Sequence, residues 1–345
     1  MAPDEKGFLY PQIDNSLCVN CSACERVCPI INKEHFQNEP KAYAAYNKDE
    51  SVRLKSSSGG IFTLLADIIL DKGGVIFGAA YDEDFKIKHI SIESKDELYK
   101  LRTSKYLQSY IGDSYLKCKK LLLDNRYVLF TGTPCQVNGL YEFLGKNNHF
   151  ERLYTHDIIC HGVPSPKLWE KYKEYRKRVD QESTITGVNF RDKDSKWSNF
   201  SLKIDYENGK SYSKPHPKDI YMNAFLRDAA LRDSCYSCTF KDRNRISDIT
   251  LGDFWGINNI YPELNDEKGI SVLIVHSKKG EEIFENIKEK IVYKEVEFEL
   301  SIQANKSMYQ SVPKPDKREE FFENMDKLEF DKLVNLYTVK QAYEQ

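Results

Sequence analysis

Short apolar runs and longer amphipathic ones alternate along the first half of the chain. Residues 42–46, 74–81, 127–130 and 154–159 are compact, apolar and bounded by polar turns, which predicts strands. Between them, residues 61–70 repeat apolar positions at helical spacing and stop before Gly73-Gly74. Residues 115–123 carry a helical face around Cys118, and Pro134 opens another helix. Strands and helices in alternation favour parallel pairing. The second half reads differently. Residues 187–190 and 200–205, with Glu207-Asn208-Gly209 turning into 211–213, predict antiparallel strands; 246–251 predicts a further strand and 270–276 a central one. A helix is predicted over 219–232, and the charged tail from Glu319 to Gln345 has a helical pattern expected to pack on the outside. The expected class is α/β with mixed α+β character.

Composition narrows the function classes. Of 345 residues, 40% are hydrophobic and 30% charged, and Lys+Arg 51 against Asp+Glu 53 leaves a net charge of -2. That balance gives no reason to expect nucleic acid or an anionic membrane as a partner. The basic run 171–178 alternates with aromatics at helical spacing and reads as a solvated helix face. The longest apolar stretches, 61–70 and 272–275, are too short to span a bilayer, and the first residues lack a signal-peptide core, so a cytoplasmic protein is expected. In a reducing compartment nine cysteines are more natural as metal ligands or redox groups than as disulfides.

Four cysteines fall in one window, Cys18, Cys21, Cys24 and Cys28, the last followed by Pro29. This is the C-x2-C-x2-C-x3-C-P spacing of bacterial ferredoxins, in which a tight loop aims three thiolates at one 4Fe-4S cube. Zinc competes, because C-x2-C knuckles also build tetrahedral zinc sites; the third cysteine at the same step and the Cys-Pro ending favour the cube. In two-cluster ferredoxins the cysteine before proline ligates the other cluster, so Cys28 implies a partner motif. No second such run occurs here, yet Gly7 to Asp14 looks like the connector between two repeats. The expectation is that the first repeat has been lost or that Met1 is an internal start.

The remaining cysteines are scattered. Cys135 follows Thr131-Gly132-Thr133-Pro134 where a strand meets a helix, Cys160 ends a strand and precedes His161-Gly162, and Cys235 and Cys238 form a C-x2-C pair. These four could converge on a second thiolate site, or each could be an isolated buried cysteine. Cys118 reads as plain core.

Taken in order, the cysteine run, Ser57-Ser58-Gly59-Gly60, Ser104-Lys105-Tyr106-Leu107-Gln108-Ser109, Gly132-Thr133-Pro134-Cys135-Gln136 and Cys235-x2-Cys238 followed by Asp248 to Asp253 resemble one family. It is the beta subunit of coenzyme F420 hydrogenase/dehydrogenase with its bacterial relatives, and the likeness runs from about Gly7 to Phe321. The resemblance implies a short ferredoxin-like N-terminal piece on a mixed-sheet, flavin-binding core. It implies FAD, and a second 4Fe-4S cluster on Cys135, Cys160, Cys235 and Cys238. The implied flavin contacts are Ser57, Ser58, Gly59, Gly60, Ser104, Lys105, Tyr106, Gln108, Thr131, Gly132 and Thr133. The corresponding divisions are 1–38 for the iron–sulfur piece, 39–180 and 181–325 for the two parts of the core, and 326–345 for a helical tail.

Physical chemistry can be set beside that analogy. Glycines and hydroxyls before a helix expose backbone N–H groups to a diphosphate, although the same sequence is commonly an ordinary helix cap. Neither G-x-G-x-x-G nor a P-loop occurs, so any flavin is held by other loops. Lys105 can offset phosphate or reduced-flavin charge and Gln108 can bond a ring edge; the plain alternative for both is a surface loop. His161 and Lys105 are the candidate catalytic residues, His161 as proton donor or merely a loop residue, and Arg191 could receive an anionic group. The expected function is an iron–sulfur flavoprotein oxidoreductase. It would move electrons between a one-electron donor such as ferredoxin, or another redox subunit, and a small hydride acceptor. The alternatives are an electron-transfer subunit serving a partner enzyme and a zinc-stabilised binding module.

Overall fold

The computed structural model describes residues 1–33, 37–145, 150–181, 184–194 and 196–338. Its centre is an eight-stranded sheet built from β3 (Lys41–Asn47), β4 (Val75–Tyr81), β5 (Ile87–Ile92), β6 (Val128–Gly132), β7 (Leu153–Ile158), β11 (Ile249–Asp253), β12 (Ser271–Val275) and β13 (Ile291–Val296). The order across the sheet is β13-β3-β12-β11-β7-β6-β4-β5. Helices cover both faces, as the two-residue period of the strands requires. The helix Ile61–Asp71 buries Leu64, Leu65 and Ile69 against Ile76, Leu129, Ile249 and Leu273. On the other face the helices Ser114–Leu123 and Pro134–Leu144 bury Cys118, Val137 and Leu140 against Val75, Phe77, Val128 and Phe130.

The expected parallel pairing holds for three of the four early strands. β4, β6 and β7 pair parallel in turn, and β11 continues them. β3 does not join them. It lies antiparallel between β12 and β13, because residues 48–74 carry the chain past β12, β11, β7 and β6 before β4 begins. Its apolar pattern says that β3 is buried but not which strand lies beside it.

A second sheet is antiparallel, in the order β10-β9-β8, from β8 (Ile185–Asp192), β9 (Ser201–Tyr206) and β10 (Ser211–Pro215). It packs with the helix Pro166–Asp180 through Trp169, Tyr172, Phe190 and Tyr221. The helix expected over 219–232 stops at Leu226. Asp228 adopts a left-handed conformation there. Residues 230–232 then run extended beside 163–165, with Ser165 N–H on Ala230 O and Arg232 N–H on Val163 O, both at 3.0 Å.

The tail is not an outer layer. Phe321, Phe322, Met325, Phe330, Leu333 and Val334 are buried with Phe8, Trp169 and Tyr172, because the charged positions occupy only one side of the helices Arg318–Glu323 and Phe330–Thr338. Residues 339–345 lie outside the described ones. The chain start joins the same core: β1 (Ala2–Pro3) and β2 (Leu9–Tyr10) form a hairpin whose Phe8 is buried against Phe322. Among the described residues no helix is long and apolar enough to cross a membrane.

Candidate functional site

Four parallel strands point their C-terminal ends at one edge of the main sheet, ending in Tyr81, Gly132, Ile158 and Asp253. In open α/β sheets ligands bind at that edge. Ile158 supports an opening here: it ends β7, which has neighbours on both sides, yet it is 41% exposed.

Two of the Ser-rich segments meet over this edge. Ser57 Oγ accepts the Ser104 N–H at 2.7 Å. Arg191 holds the same loop from below, donating to Ser57 O at 3.3 Å and to Asp253 Oδ1 at 2.9 Å, while Trp197 Nε1 also donates to Asp253. Arg191 is buried, with Phe200 3.8 Å from its guanidinium carbon, so it braces the loop rather than opening to an anion as expected.

The glycines of this loop serve packing first. Gly59 N–H donates to Ser271 Oγ, and a side chain there would begin 2.5 Å from Ala45 O. Gly60 caps the helix at φ +78° with Arg53 Cα close by. Ser58 Oγ donates to Ile270 O, whereas the equally half-buried Ser57 hydroxyl accepts from Ser104.

Gln108 is committed elsewhere. Its Oε1 accepts the Leu9 N–H and its Nε2 donates to Leu9 O, so it ties the N-terminal hairpin down instead of facing a flavin edge. Lys105 Nζ donates to the carbonyls of Arg102 and Thr103, and burial pulls its ammonium down to about 7. Its neighbour Tyr106 packs against Phe225 and Phe190, with its phenol pushed up by burial.

Thr131 and Gly132 are positioned by a residue that the sequence reading passed over. His89 Nε2 lies 3.0 Å from Thr131 O and its Nδ1 2.7 Å from Ser109 Oγ. A carbonyl can only accept, so Nε2 carries the proton and Nδ1 accepts from the serine. Burial holds this ring neutral, at about 4. Tyr81 Oη and both ring nitrogens of His156 are buried without partners. Such orphaned polar atoms fit a site that receives a polar-edged group. Their only sequence signal was polarity inside an apolar strand.

The scattered cysteines come together. Thr133 Oγ1 lies 3.1 Å from Cys135 Sγ, and Gly162 leaves room for Cys235, whose Cβ is 3.3 Å from where a Gly162 side chain would begin. Cys160 is held far above its usual range by burial, then by repulsion from Cys235, Cys135 and Cys238. Burial pushes Cys235 up to about 11, while Cys135 is exposed on the first turn of the helix Pro134–Leu144. Cys118 stays apart in the core, at about 12. His161 is pinned: Nε2 pairs with Asp228 Oδ1 at 2.7 Å, and the ring stands edge-on to Phe225, which contacts Tyr106. His161, Phe225 and Tyr106 thus connect the cysteine group to the Ser104–Lys105 loop.

Cys18, Cys21 and Cys24 are exposed and Cys28 is half-buried, on a segment whose Leu17 and Val19 are also exposed. Among the described residues no three metal-ligating side chains form a preset group. For Cys18, Cys21, Cys24 and Cys28 the fit to iron therefore lies in all-sulfur donor chemistry and spacing, and for Cys135, Cys160, Cys235 and Cys238 in the all-sulfur donor chemistry alone.

Comparison with known proteins resolves the family. The family model for the C terminus of the coenzyme F420 hydrogenase/dehydrogenase beta subunit matches residues 125–300, about half of the chain. The chain belongs to this family. The N-terminal model of the same beta subunit matches 42–113, and a 4Fe-4S binding domain matches 11–30, so the N-terminal segment of this family member is an iron–sulfur one. An uncharacterised protein of Methanocaldococcus jannaschii is 25% identical over 282 residues, 77% of this chain and 70% of that protein. A chain of the F420-reducing NiFe hydrogenase complex of Methanosarcina barkeri matches with TM-score 0.51 and 17% identity, over 81% of this chain and 89% of that one, which shows a shared fold. The family is one of oxidoreductase subunits, and electron transfer through iron–sulfur chemistry follows for this chain.

Proposed function

We propose that this family member is an iron–sulfur flavoprotein. It moves electrons one at a time from a carrier such as ferredoxin through 4Fe-4S clusters to FAD, and as a hydride from there to a small acceptor. The observation that supports this reading is the continuous chain of contacts from Cys160 through His161, Phe225 and Tyr106 to Ser104 and Ser57, which sets Cys160 next to the open sheet edge. FAD, when bound, supplies the conversion between one-electron and two-electron chemistry.

The chain's own residues have distinct parts. Cys18, Cys21, Cys24 and Cys28 serve the N-terminal cluster, and Cys135, Cys160, Cys235 and Cys238 a second one. Ser57, Ser104 and Thr133 offer backbone and hydroxyl groups to the flavin, and Thr131, buried with its hydroxyl on Phe77 O, holds the strand end that carries them. Gly59 and Gly60 let the loop lie close to the sheet. Lys105, near 7, can hold or release a proton at Nζ, and Asp228 keeps His161 oriented.

A second reading, a subunit that relays electrons to a partner enzyme, draws on the structural neighbour, which is part of a hydrogenase complex. One experiment separates them. Protein purified anaerobically is analysed for iron and for flavin released by acid, then given reduced ferredoxin and a panel of hydride acceptors. Bound FAD with turnover supports the enzyme, whereas absence of turnover without a partner supports the relay subunit, and stoichiometric absence of flavin removes the enzyme reading and leaves only an electron relay.

A further inference from the structure

Lys193 directly follows β8 and closes its ammonium on three main-chain carbonyls. Nζ donates to Arg53 O at 2.7 Å, to Ser58 O at 3.1 Å and to Lys268 O at 2.7 Å, so each of its three N–H bonds has an acceptor. Two of these carbonyls belong to the segment that carries Ser57, and the third to the turn that leads into β12. Arg53 fastens the same turn from the loop side. Its Nε donates to Gly269 O at 2.7 Å, and its two terminal nitrogens reach the Asp266 carboxylate at 2.8 and 2.6 Å. The two segments touch closely here, since a side chain at Gly269 would begin 2.6 Å from Ser58 O. Arg191, two residues before Lys193, holds Ser57 O. The carbonyls of Ser57 and Ser58 are thus both taken by cations at the end of β8. The peptide bonds of the described residues are trans, and a trans peptide sets its N–H opposite its C=O. With Ser57 O on Arg191, the Ser58 N–H therefore faces away from that cation.

We propose that Lys193 is a positioning residue for the flavin: by clasping Arg53 O, Ser58 O and Lys268 O it fixes the Ser-rich loop before the cofactor arrives, with the loop carbonyls on the β8 side and the Ser58 N–H on the other, for the diphosphate of FAD. The proposal rests on the reading of this edge as a flavin site. A carbonyl turned toward a diphosphate repels it, and a loop that must be ordered on binding costs affinity; the clasp removes both penalties. Lysine suits the place because three carbonyls converge on one nitrogen, whereas the donors of a planar guanidinium diverge. Burial, then the charges of Arg53 and Arg191, pull the ammonium down to about 7, so the clasp is complete below that pH. Because β8 belongs to the second sheet, that sheet sets the shape of a loop on the main one.

The test is FAD binding by the full chain freed of flavin, kept anaerobic at pH 6 and followed by quenching of flavin fluorescence, with hydrogen exchange of the flavin-free protein beside it. Lys193→Met keeps the length of the side chain and removes all three donors. It is expected to bind FAD about tenfold more weakly, with faster exchange at residues 53–58 and unchanged protection in β4 and β6. Lys193→Arg, which restores the charge and some of the donors, recovers part of the affinity. Unchanged FAD affinity in Lys193→Met, or weaker binding without faster exchange at 53–58, overturns the proposal and leaves the flavin reading standing. Loss of protection across β4 and β6 in both variants makes Lys193 a folding element and overturns it too. If the wild type binds no FAD, the flavin reading itself fails, and the proposal falls with it.

Discussion

Ser57 Oγ accepts the backbone N–H of Ser104 at 2.7 Å, a single bond that joins two loops 47 positions apart over the open edge of the sheet. Arg191 reinforces it through a hydrogen bond to Ser57 O. Whatever occupies this edge meets the two loops as one surface.

Ser57→Ala breaks that bond and leaves the Ser104 N–H without its partner. The expected cost is about 1 kcal/mol of stability, with a lower flavin-to-protein ratio after purification. Thermal melting and acid-released flavin measure the two effects. A full flavin complement in this variant moves the flavin site away from these loops.

Gly59→Ala places a methyl group 2.5 Å from Ala45 O and 2.9 Å from Ser271 N, both backbone atoms of the central sheet. Neither can move cheaply, so a loss of about 3 kcal/mol is expected by overpacking. Gly60→Ala meets a left-handed backbone and loses about 1–2 kcal/mol. Urea denaturation of protein free of flavin should show both losses, which separates packing from cofactor binding.

His156→Leu removes a buried ring with no hydrogen-bond partner and is expected to raise stability at neutral pH by about 1–3 kcal/mol. The effect has a pH signature. His156 is held at about 4 by burial, whereas an unfolded histidine binds a proton near 6.5. Between those values the unfolded chain takes up a proton that the native one refuses, so wild-type stability falls as pH drops through that window. The variant should lose one proton's worth of this slope. The raised carboxyls of Asp157 and Asp248 act in the opposite sense but are common to both proteins and cancel in the difference.

Lys105 gives the complementary test at alkaline pH. Its ammonium titrates at about 7 in the native chain and near 10.4 when unfolded. The unfolded chain binds the extra proton between those limits, so the lysine's penalty is present in full below 7 and fades as pH rises toward 10. Urea midpoints of Lys105→Met should rise less steeply with pH over that range than those of the wild type. Parallel curves would mean that the amine is not desolvated.

Iron content distinguishes the cysteines. Cys238→Ser should lose about one cluster's iron, while Cys118→Ser should keep all of it, because Cys118 is buried on the helix Ser114–Leu123 with its thiol at about 12 and is protonated at neutral pH. Equal iron in the two variants would dissolve the assignment of the four-cysteine group.

Local spacing by itself determined much of this protein. Cys18 to Cys28 lie so close along the chain that steps of three and four residues specify the ligand loop, and short apolar runs and a helical period marked β4, β6, β7 and the helix Ile61–Asp71. Tertiary structure decided the rest, for one physical reason. Periodicity records which face of an element is buried, while the neighbour on that face comes from contacts distant in sequence. So β3 had the pattern of a parallel strand and lies antiparallel between β12 and β13. Gln108 had the chemistry of a cofactor ligand and is taken up by Leu9. Cys135, Cys160, Cys235 and Cys238 gain their common neighbourhood only because β6 and β7 end side by side and residues 230–232 pair with 163–165, relationships that no spacing within one segment encodes.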